Sequence, residues 1–236
     1  LLLLLKLAEK YEWNMQLLDY KNSGDTAGNK DRVVGYSAMV ATDDMLDNEA
    51  QSVLMNIARD TIEQYVREGT RLEPDMNIIE KYPKLMKDKA AFVSLDKLGR
   101  LRGSIGSLTA HEPLYLSVRN HAINTVSNDK RFLPVQTEEL GSILITISVL
   151  EQPYLIQVTN YTDYLRLLRP LKDGVIIVNN GKQATYLPQV WEQLSDKEYF
   201  LSNLCMKATL EANCWKDPET MIYRYGAQVF YEKDFS

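Results

Sequence analysis

Cysteine and histidine are scarce in this 236-residue sequence, with two of each. Cys205 and Cys214 lack the spacing of a metal-ligand pair, so we expect a reducing compartment, no disulfide framework, and Cys205 as a buried apolar residue. His111 and His121 have no carboxylate or cysteine partner at a recognisable ligand spacing. The sequence therefore predicts no metal site, and it identifies no cofactor.

An excess of positive charge and a long apolar run are also absent. The formal net charge of −5 gives no general reason to expect nucleic-acid binding, because phosphates require a basic face. The five leucines at residues 1–5 are too few to cross a membrane and lack the charged front of a secretory signal. We therefore expect a cytoplasmic protein. We also expect a fragment of a longer protein, because the sequence opens without Met.

The remaining composition, 45% apolar and 25% charged, is ordinary for a globular protein with a sizeable core. Helical periodicity covers 46–67 and 112–126, whereas 143–150 is rich in β-branched residues. Turn signals at 97–100 and 179–181 indicate hairpins. Adjacent strands joined by hairpins, with helices between them, predict an α+β fold with a largely antiparallel sheet and packed helices. Shorter predicted elements are strands at 91–95, 175–178, 183–187 and 223–231 and helices at 162–168 and 190–194.

The N-terminal region has a different organisation. Residues 1–12 predict a helix, and 15–20 and 33–41 predict strands around a polar loop at 22–29. A helix-strand-strand unit of this size cannot bury its own apolar face. We therefore interpret it as a remnant of another domain, which would pack on the rest of the chain, on a neighbouring molecule, or on a second copy as a homodimer.

A stretch rich in glycine and arginine, GRLRGSIGS at 99–107, resembles the signature of the AMMECR domain family, also called AmmeMemoRadiSam system protein A. The resemblance extends over about residues 46–232, and we assign 46–236 to this domain. The family usually has cysteine where this chain has Ser104; an unassisted serine is a much weaker nucleophile than a thiolate. Further similar segments follow in the family's order at 128–132, 145–150, 186–191, 200–208 and 223–225.

Segments 15–20, 23–26 and 32–36 resemble the C-terminal end of Memo-like proteins, AmmeMemoRadiSam system protein B. The resemblance implies that residues 1–42 are a fragment of a Memo-like domain, whose metal-site residues would lie upstream. It also implies a pathway shared with Memo-like and radical S-adenosylmethionine proteins. It supplies no established reaction.

The glycine-rich stretch is the first candidate site. Gly103 and Gly106, beside Arg102, bring backbone N–H groups close to positive charge, and such a turn can bind an anion. Ser104 would add a hydroxyl, as a weak candidate for catalysis, and Arg131 would join from the end of the following helix. The alternative is a tight strand and turn in which glycine permits close packing. The sequence leaves both open, and it disfavours a Ser104–His111 catalytic pair.

The second candidate cluster comprises Gln189, Trp191 and Lys207. Gln189 offers a donor and an acceptor, and Trp191 would form the wall of a pocket or belong to the core. Lys207 would face the same cleft or be a solvated charge. We expect Arg102 and Gln189 to line one pocket.

Two functions fit these residues. The first is an enzyme or enzyme subunit that acts on a small anionic or nucleotide-like substrate. The second is a non-catalytic interaction or scaffold module for the Memo-like and radical enzymes, which predicts an exposed apolar patch. The sequence does not decide whether the protein is an enzyme.

Overall fold

In the computed structural model of the chain, the described residues are 2–10, 14–22, 35–42 and 45–235. They fall into two units, Leu1–Glu49 and Ala50–Ser236. The predicted polar loop at 22–29 lies almost entirely outside the described residues.

The first unit contains a helix and a strand pair. Helix α1 spans Leu2–Lys10, and strands β1 (Asn14–Asn22) and β2 (Gly35–Thr42) pair antiparallel, with Asn14 opposite Thr42. Over the described residues, the predicted helix and both predicted strands are therefore confirmed.

The second unit is built on two four-stranded sheets. Sheet I has the order β10-β5-β3-β4, and sheet II has the order β6-β9-β7-β8. Every pairing between described strands is antiparallel, which confirms the α+β fold with antiparallel sheets and packed helices. The strands are β3 (Ala91–Lys97), β4 (Arg100–Gly106), β5 (Ile143–Leu150), β6 (Tyr154–Leu155), β7 (Gly174–Asn179), β8 (Lys182–Tyr186), β9 (Met221–Tyr225) and β10 (Ala227–Tyr231). The helices are α2 (Asn48–Glu68), α3 (Met76–Ile79), α4 (Leu114–Ser127), α5 (Thr162–Leu167) and α6 (Lys197–Lys207).

Two hairpins follow the predicted turn chemistry. Leu98 and Gly99 connect β3 to β4 with φ values of 56° and 76°, and Asn180 and Gly181 connect β7 to β8 with φ values of 50° and 73°. Positive φ at both central residues matches the right-handed twist of the flanking strands. The turn residues therefore fix the register of one strand pair in each sheet.

The chain passes between the sheets at Gly226. The sequence predicts one strand over 223–231, but the structure divides it into β9 in sheet II and β10 in sheet I. Any Cβ at Gly226 would collide with the carboxylate of Glu151, which stands where β5 ends. The backbone N–H of Glu151 donates to the Gly226 carbonyl at 2.9 Å. The prediction of a single strand is wrong because alternation does not reveal a change of sheet.

The two faces of sheet I have different chemistry. Alternate β5 residues, including Ile145 and Ile147, are buried on the face that contacts α4. Gly103 allows that contact, since a Cβ there would approach Thr125 Cγ2 to 2.9 Å. The Thr125 hydroxyl also donates to the Val93 carbonyl at 3.1 Å. The opposite face carries several smaller polar side chains.

Sheet II covers the second apolar core, which contains Trp191, Phe200 and Trp215. Cys205, at the end of α6, and Cys214 lie in this core and form a disulfide with a Cα–Cα distance of 5.8 Å. The expectation of cysteines without a disulfide is therefore corrected. After α6 the chain turns back and brings Cys214 close to Cys205. Their spacing in the sequence does not reveal this proximity.

We predict that reduction lowers the free energy of unfolding by about 2 to 3 kcal/mol, because a cross-link over a short loop restricts the unfolded chain. The measurement is urea unfolding with and without a phosphine reductant. A Cys214→Ala variant is the control, since reductant should not weaken it further. Two reactive thiols in the denatured, unreduced protein would contradict the prediction.

Candidate functional site

An open cleft of about 880 Å³ lies between sheet I and the β8-α6 side of sheet II. Its sheet I wall is the face opposite α4. Residues directly paired across antiparallel strands have side chains on the same face. The register therefore identifies which side chains share the wall.

A row of hydroxyl groups crosses all four strands of sheet I. Tyr231 pairs with Thr146, Thr146 with Ser94, and Ser94 with Ser104. All four residues line the cleft. The Ser94 and Ser104 hydroxyl oxygens are 2.8 Å apart, within hydrogen-bonding distance. We call these four residues the hydroxyl row.

Asp129 and Arg131, in the segment after α4, border the hydroxyl row. Arg131 donates from Nε and Nη2 to the two carboxylate oxygens of Asp129, at 2.9 and 2.6 Å. Asp129 also accepts the Ser104 N–H at 2.9 Å, and Arg131 Nη2 donates to the Ser104 carbonyl at 3.0 Å. The hydrogen bond from Arg131 lowers the pKa of Asp129 to about 2. Asp129 is therefore ionised at neutral pH, and the pair fixes Ser104 against the end of α4.

Lys207 faces the cleft from the last turn of α6. Its Nζ donates to the Thr185 carbonyl at 2.9 Å and lies 4.8 Å from the centre of the Tyr186 ring. Burial of the amine, and then the positive charge of Arg131, lower the pKa of Lys207. The residue as a whole remains exposed, so only its amine end is partly desolvated. Two cationic groups that repel each other therefore face one cleft.

Tyr225 of β9 forms hydrogen bonds that position strand β8. Its hydroxyl lies 2.8 Å from the Thr185 hydroxyl and donates to the Tyr186 carbonyl at 3.2 Å. Burial raises the pKa of Tyr225 well above its usual range, so it remains a protonated donor. The strand that carries the acceptor for Lys207 is thus fixed by a buried hydrogen bond.

Gln189 enters the cleft from the helical turn Pro188–Glu192. Its Nε2 donates to the Ser148 hydroxyl at 3.1 Å, while its Oε1 is buried without a hydrogen-bond partner. An unsatisfied buried amide oxygen costs free energy unless a donor reaches it. Gln189 therefore links the two walls and retains an unused acceptor.

The family model described as AMMECR1 matches residues 55–230. The chain belongs to the AMMECR1 family. The match includes every residue of the cleft except Tyr231.

Archaeal relatives agree. A protein of Methanothermobacter thermautotrophicus is 38% identical over 189 residues, which cover 79% of this chain and 96% of its own length. Protein MJ0810 of Methanocaldococcus jannaschii is 34% identical over 194 residues, 80% of this chain and 92% of its own. The crystal structure of the uncharacterised protein PH0010 from Pyrococcus horikoshii superposes with a TM-score of 0.75 at 32% identity, covering 80% of this chain and 94% of that chain.

Four of the predicted AMMECR1 site residues line the cleft: Ser104, Arg131, Gln189 and Lys207. The other four, Arg102, Gly103, Gly106 and Trp191, do not line it. The expectation that Arg102 and Gln189 share one pocket is therefore wrong.

A β-bulge turns Arg102 away from Ser104. Leu95 pairs with Gly103 whereas the next residue, Asp96, pairs with Leu101, which leaves Arg102 as the extra residue. Arg102 donates from Nε and Nη2 to Glu139, at 2.9 Å each, and from Nη2 to the Leu133 carbonyl at 3.0 Å. Its guanidinium is thus committed to an ion pair on another part of the domain.

Close packing accounts for both glycines. Gly103 lies against Thr125 of α4, on the face of sheet I away from the hydroxyl row. At Gly106 a Cβ would collide with the ring of Phe92, its cross-strand partner, which itself lines the cleft. These contacts match the alternative in which glycine permits close approach, rather than an anion-binding turn.

Trp191 belongs to the core. Its ring stacks on Phe200 with centroids 3.6 Å apart, and its N–H donates to the Asp173 carbonyl at 2.7 Å. Only 1% of its surface is exposed. The core interpretation of Trp191 is therefore the correct one.

Sequence reasoning missed most of the hydroxyl row and the role of Asp129. A usable signal was the alternation in 143–150, where Thr146 and Ser148 occupy every second position between aliphatic residues. That pattern predicts a strand with one polar face. The partners Ser94 and Tyr231 required the strand register, which the sequence does not provide.

The Ser104 hydroxyl lies 2.8 Å from the hydroxyl of Ser94, which is not a general base. His111 lies 2.6 Å from the Thr109 hydroxyl through Nε2 and does not line the cleft. Among the cleft-lining residues that the structure describes there is no histidine.

Across the described ranges, no group of three or more His, Cys, Asp and Glu residues could hold a metal ion. No helix within these ranges is long and apolar enough to cross a membrane.

The ion pair of Arg102 generates a stability prediction. The hydrogen bond from Arg102 lowers the pKa of Glu139 from its ordinary 4.5 to about 2. A carboxyl group with a lowered folded-state pKa stabilises the fold above its unfolded pKa and loses that contribution as pH falls through the folded value. We predict that Glu139→Gln lowers the free energy of unfolding by roughly 1 to 2 kcal/mol at pH 7, since solvent partly reaches the pair.

The measurement is urea unfolding of wild type and variant between pH 7 and pH 2. The difference should shrink progressively below pH 5. Glu138→Gln, an exposed neighbour, is the matched control and should have little effect at any pH. A difference that does not depend on pH would show that Glu139 acts through packing instead of charge.

Proposed function

We propose that this AMMECR1 protein binds a small anionic, nucleotide-like ligand in the cleft and acts on it as an enzyme or enzyme subunit. The observation that carries the proposal is the pair of cations, Arg131 and Lys207, on one cleft. Their unused hydrogen-bond donors define what the ligand must supply.

The donor count favours an acceptor-rich group. Arg131 has five guanidinium N–H groups. Three of these are used by Asp129 and the Ser104 carbonyl, so the two on Nη1 remain. An ammonium group has three N–H groups, and Lys207 uses one on Thr185. Two nitrogens with unused donors match the oxygens of a carboxylate or a phosphate.

The charge distribution supports the same ligand class. Asp129 is already neutralised by Arg131, and Asp96 accepts the N–H of Gly99 at 2.8 Å in the hairpin. Glu192 is exposed to solvent. No carboxylate forms an ion pair with Lys207 in the part of the chain that the structure describes. A bound anion would offset the repulsion between the two cations.

The size and lining of the cleft favour a ligand with a carbon skeleton. Its volume of about 880 Å³ lies in the range of small-molecule sites and far exceeds a single phosphate. Apolar side chains line it beside the polar ones, among them Phe92, Leu101 and Leu187. The hydroxyl row and Gln189 offer further hydrogen bonds for the polar groups of a sugar or an amide.

We predict that adenosine monophosphate raises the melting temperature of the protein, and that Lys207→Met abolishes most of the shift. The physical reason is that a ligand bound only to the folded state stabilises it by about 2.7 kcal/mol at a hundredfold excess over Kd. The measurement is thermal unfolding with adenosine monophosphate, inorganic phosphate and citrate at two salt concentrations.

The matched control is Lys182→Met. Lys182 also donates to a backbone carbonyl, that of Thr209 at 2.8 Å, but does not line the cleft. Its removal should leave the ligand shift intact. Equal loss in both variants would indicate a general charge effect, and no shift with any of the three anions would argue against the proposal.

A second function has its own supporting observation. Exposed leucines surround the β3-β4 hairpin end of sheet I, with Leu98 87% exposed and Leu133 83% exposed. Leu101 and Leu144 flank Asp96 in one row and are about half exposed. This apolar end is the feature expected of a non-catalytic interaction module. The partners proposed for it are Memo-like and radical S-adenosylmethionine proteins.

We also propose that residues 1–42 are a C-terminal fragment of a Memo-like domain that mediates a homodimer, followed by the AMMECR1 domain at 46–236. An isolated two-stranded sheet is marginally stable in water. The β1-β2 pair is such a sheet, and Leu3 and Leu5 of α1 are exposed. These features favour an additional partner surface.

Light scattering after size-exclusion chromatography tests both proposals. We predict a dimer for the chain alone, and a monomer for a Leu3→Asp, Leu5→Asp variant, because buried carboxylates oppose an apolar contact. Addition of purified Memo-like protein should give a heavier complex that Leu98→Asp weakens. A monomeric wild type with no complex would contradict both.

A further inference from the structure

The amine of Lys207 is held in position without being neutralised. The Thr185 carbonyl accepts one N–H at 2.9 Å, and the Tyr186 ring centre lies 4.8 Å away. Thr185 and Tyr186 both belong to β8, and the hydroxyl of Tyr225 fixes this strand through its hydrogen bonds to them. A lysine at the protein surface usually samples many rotamers, whereas this one is directed along the cleft wall.

The surroundings of Lys207 favour an amine that can lose its proton. Burial and the neighbouring Arg131 both lower its pKa. Within the described ranges no carboxylate pairs with it to restore the charge. A neutral amine retains two N–H groups and a lone pair, and Thr185 occupies only one of the N–H groups. The lone pair is then available to a bound ligand, as in lysines that form Schiff bases.

Arg131 supplies the complementary group. Its Nη1 has two N–H groups without a partner among the described residues, and half of its side chain, 52%, is exposed. Arg131 and Lys207 line the same cleft, so a carboxylate bound by Arg131 would lie in the space that the lysine amine faces. In a 2-oxo acid the carbonyl carbon is directly bonded to the carboxylate carbon. Binding of the acid group therefore brings the carbonyl group towards the amine.

We propose that Lys207 forms a reversible Schiff base with a small 2-oxo acid whose carboxylate is bound by Arg131. The proposal rests on the proposed anion site and names its ligand class. The lysine nitrogen bonds to the carbonyl carbon, and a proton moves from nitrogen to oxygen to give a carbinolamine. Loss of water, with its protons exchanged through solvent, forms the C=N bond. No oxidant or reductant is needed.

Reductive trapping tests the inference on the full chain. The protein is incubated with glyoxylate and sodium cyanoborohydride, and adducts are mapped by peptide mass spectrometry. We expect a carboxymethyl group on Lys207, formed roughly tenfold faster than on Lys182, because a lowered pKa leaves more of the Lys207 amine neutral. Acetaldehyde, which lacks the carboxylate, should lose most of this preference.

Two variants separate reactivity from charge. Lys207→Arg keeps a cation at the cleft but has no reactive amine, so the adduct should disappear. Lys182→Arg should leave the Lys207 adduct unchanged. Inorganic phosphate should slow trapping at Lys207 if glyoxylate uses the same anion site.

The outcomes distinguish this inference from the proposed function. A ligand shift that depends on Lys207, without an adduct there, would overturn the Schiff base and leave the anion site standing. Adducts spread evenly over the exposed lysines would overturn it as well. Trapping at Lys207 by acetaldehyde as fast as by glyoxylate would refute the role of Arg131. Absence of both binding and trapping would remove the two proposals together.

Discussion

The second unit depends on one close contact, where Glu151 meets Gly226. Both connections between the sheets, β5 to β6 and β9 to β10, pass this point and are joined by the hydrogen bond from Glu151 N–H to the Gly226 carbonyl. Because position 226 has no side chain, the carboxylate of Glu151 packs directly against the backbone there. Since the carboxyl group of Glu151 is buried against that glycine, its pKa is raised. The cleft exists because the sheets separate from this junction instead of continuing as one.

The junction also determines the chemistry of the cleft. If sheets I and II formed one continuous surface, the polar face of sheet I would be an open wall. Their separation instead places the hydroxyl row across from β8 and α6, which carry Thr185 and Lys207. Gln189 connects the walls through Ser148. A polar wall opposite a cation is more selective than either surface alone, because a ligand has to satisfy both.

The fold was largely predictable from the sequence, since it rests on local signals. The periodicity at 46–67, the β-branched run at 143–150 and the turn pairs at residues 98–99 and 180–181 each specify an element and often its partner. The division at Gly226 was not predictable, because an alternating run looks the same in one sheet or in two. The disulfide was not predictable either, since the turn after α6 is set by packing in the sheet II core.

The candidate site was half predictable, and Arg102 and Arg131 show why. By strand alternation Arg102 and Ser104 should share a face, but the bulge between Leu95 and Asp96 shifts the parity by one residue. A bulge depends on both strands, so one strand's sequence does not reveal it. Arg131 required no register, because Asp129 lies two residues before it and fixes the guanidinium locally.

Arg131 is positioned by short-range hydrogen bonds to Asp129, whereas the position of Arg102 depends on long-range strand pairing. The same distinction applies to Lys207, whose acceptor Thr185 belongs to a hairpin that the sequence specifies. Residues positioned by local structure, such as Arg131, are the ones for which sequence reasoning and geometry agree. Both cations of the cleft are therefore positioned either by local contacts or by a hairpin that the sequence specifies.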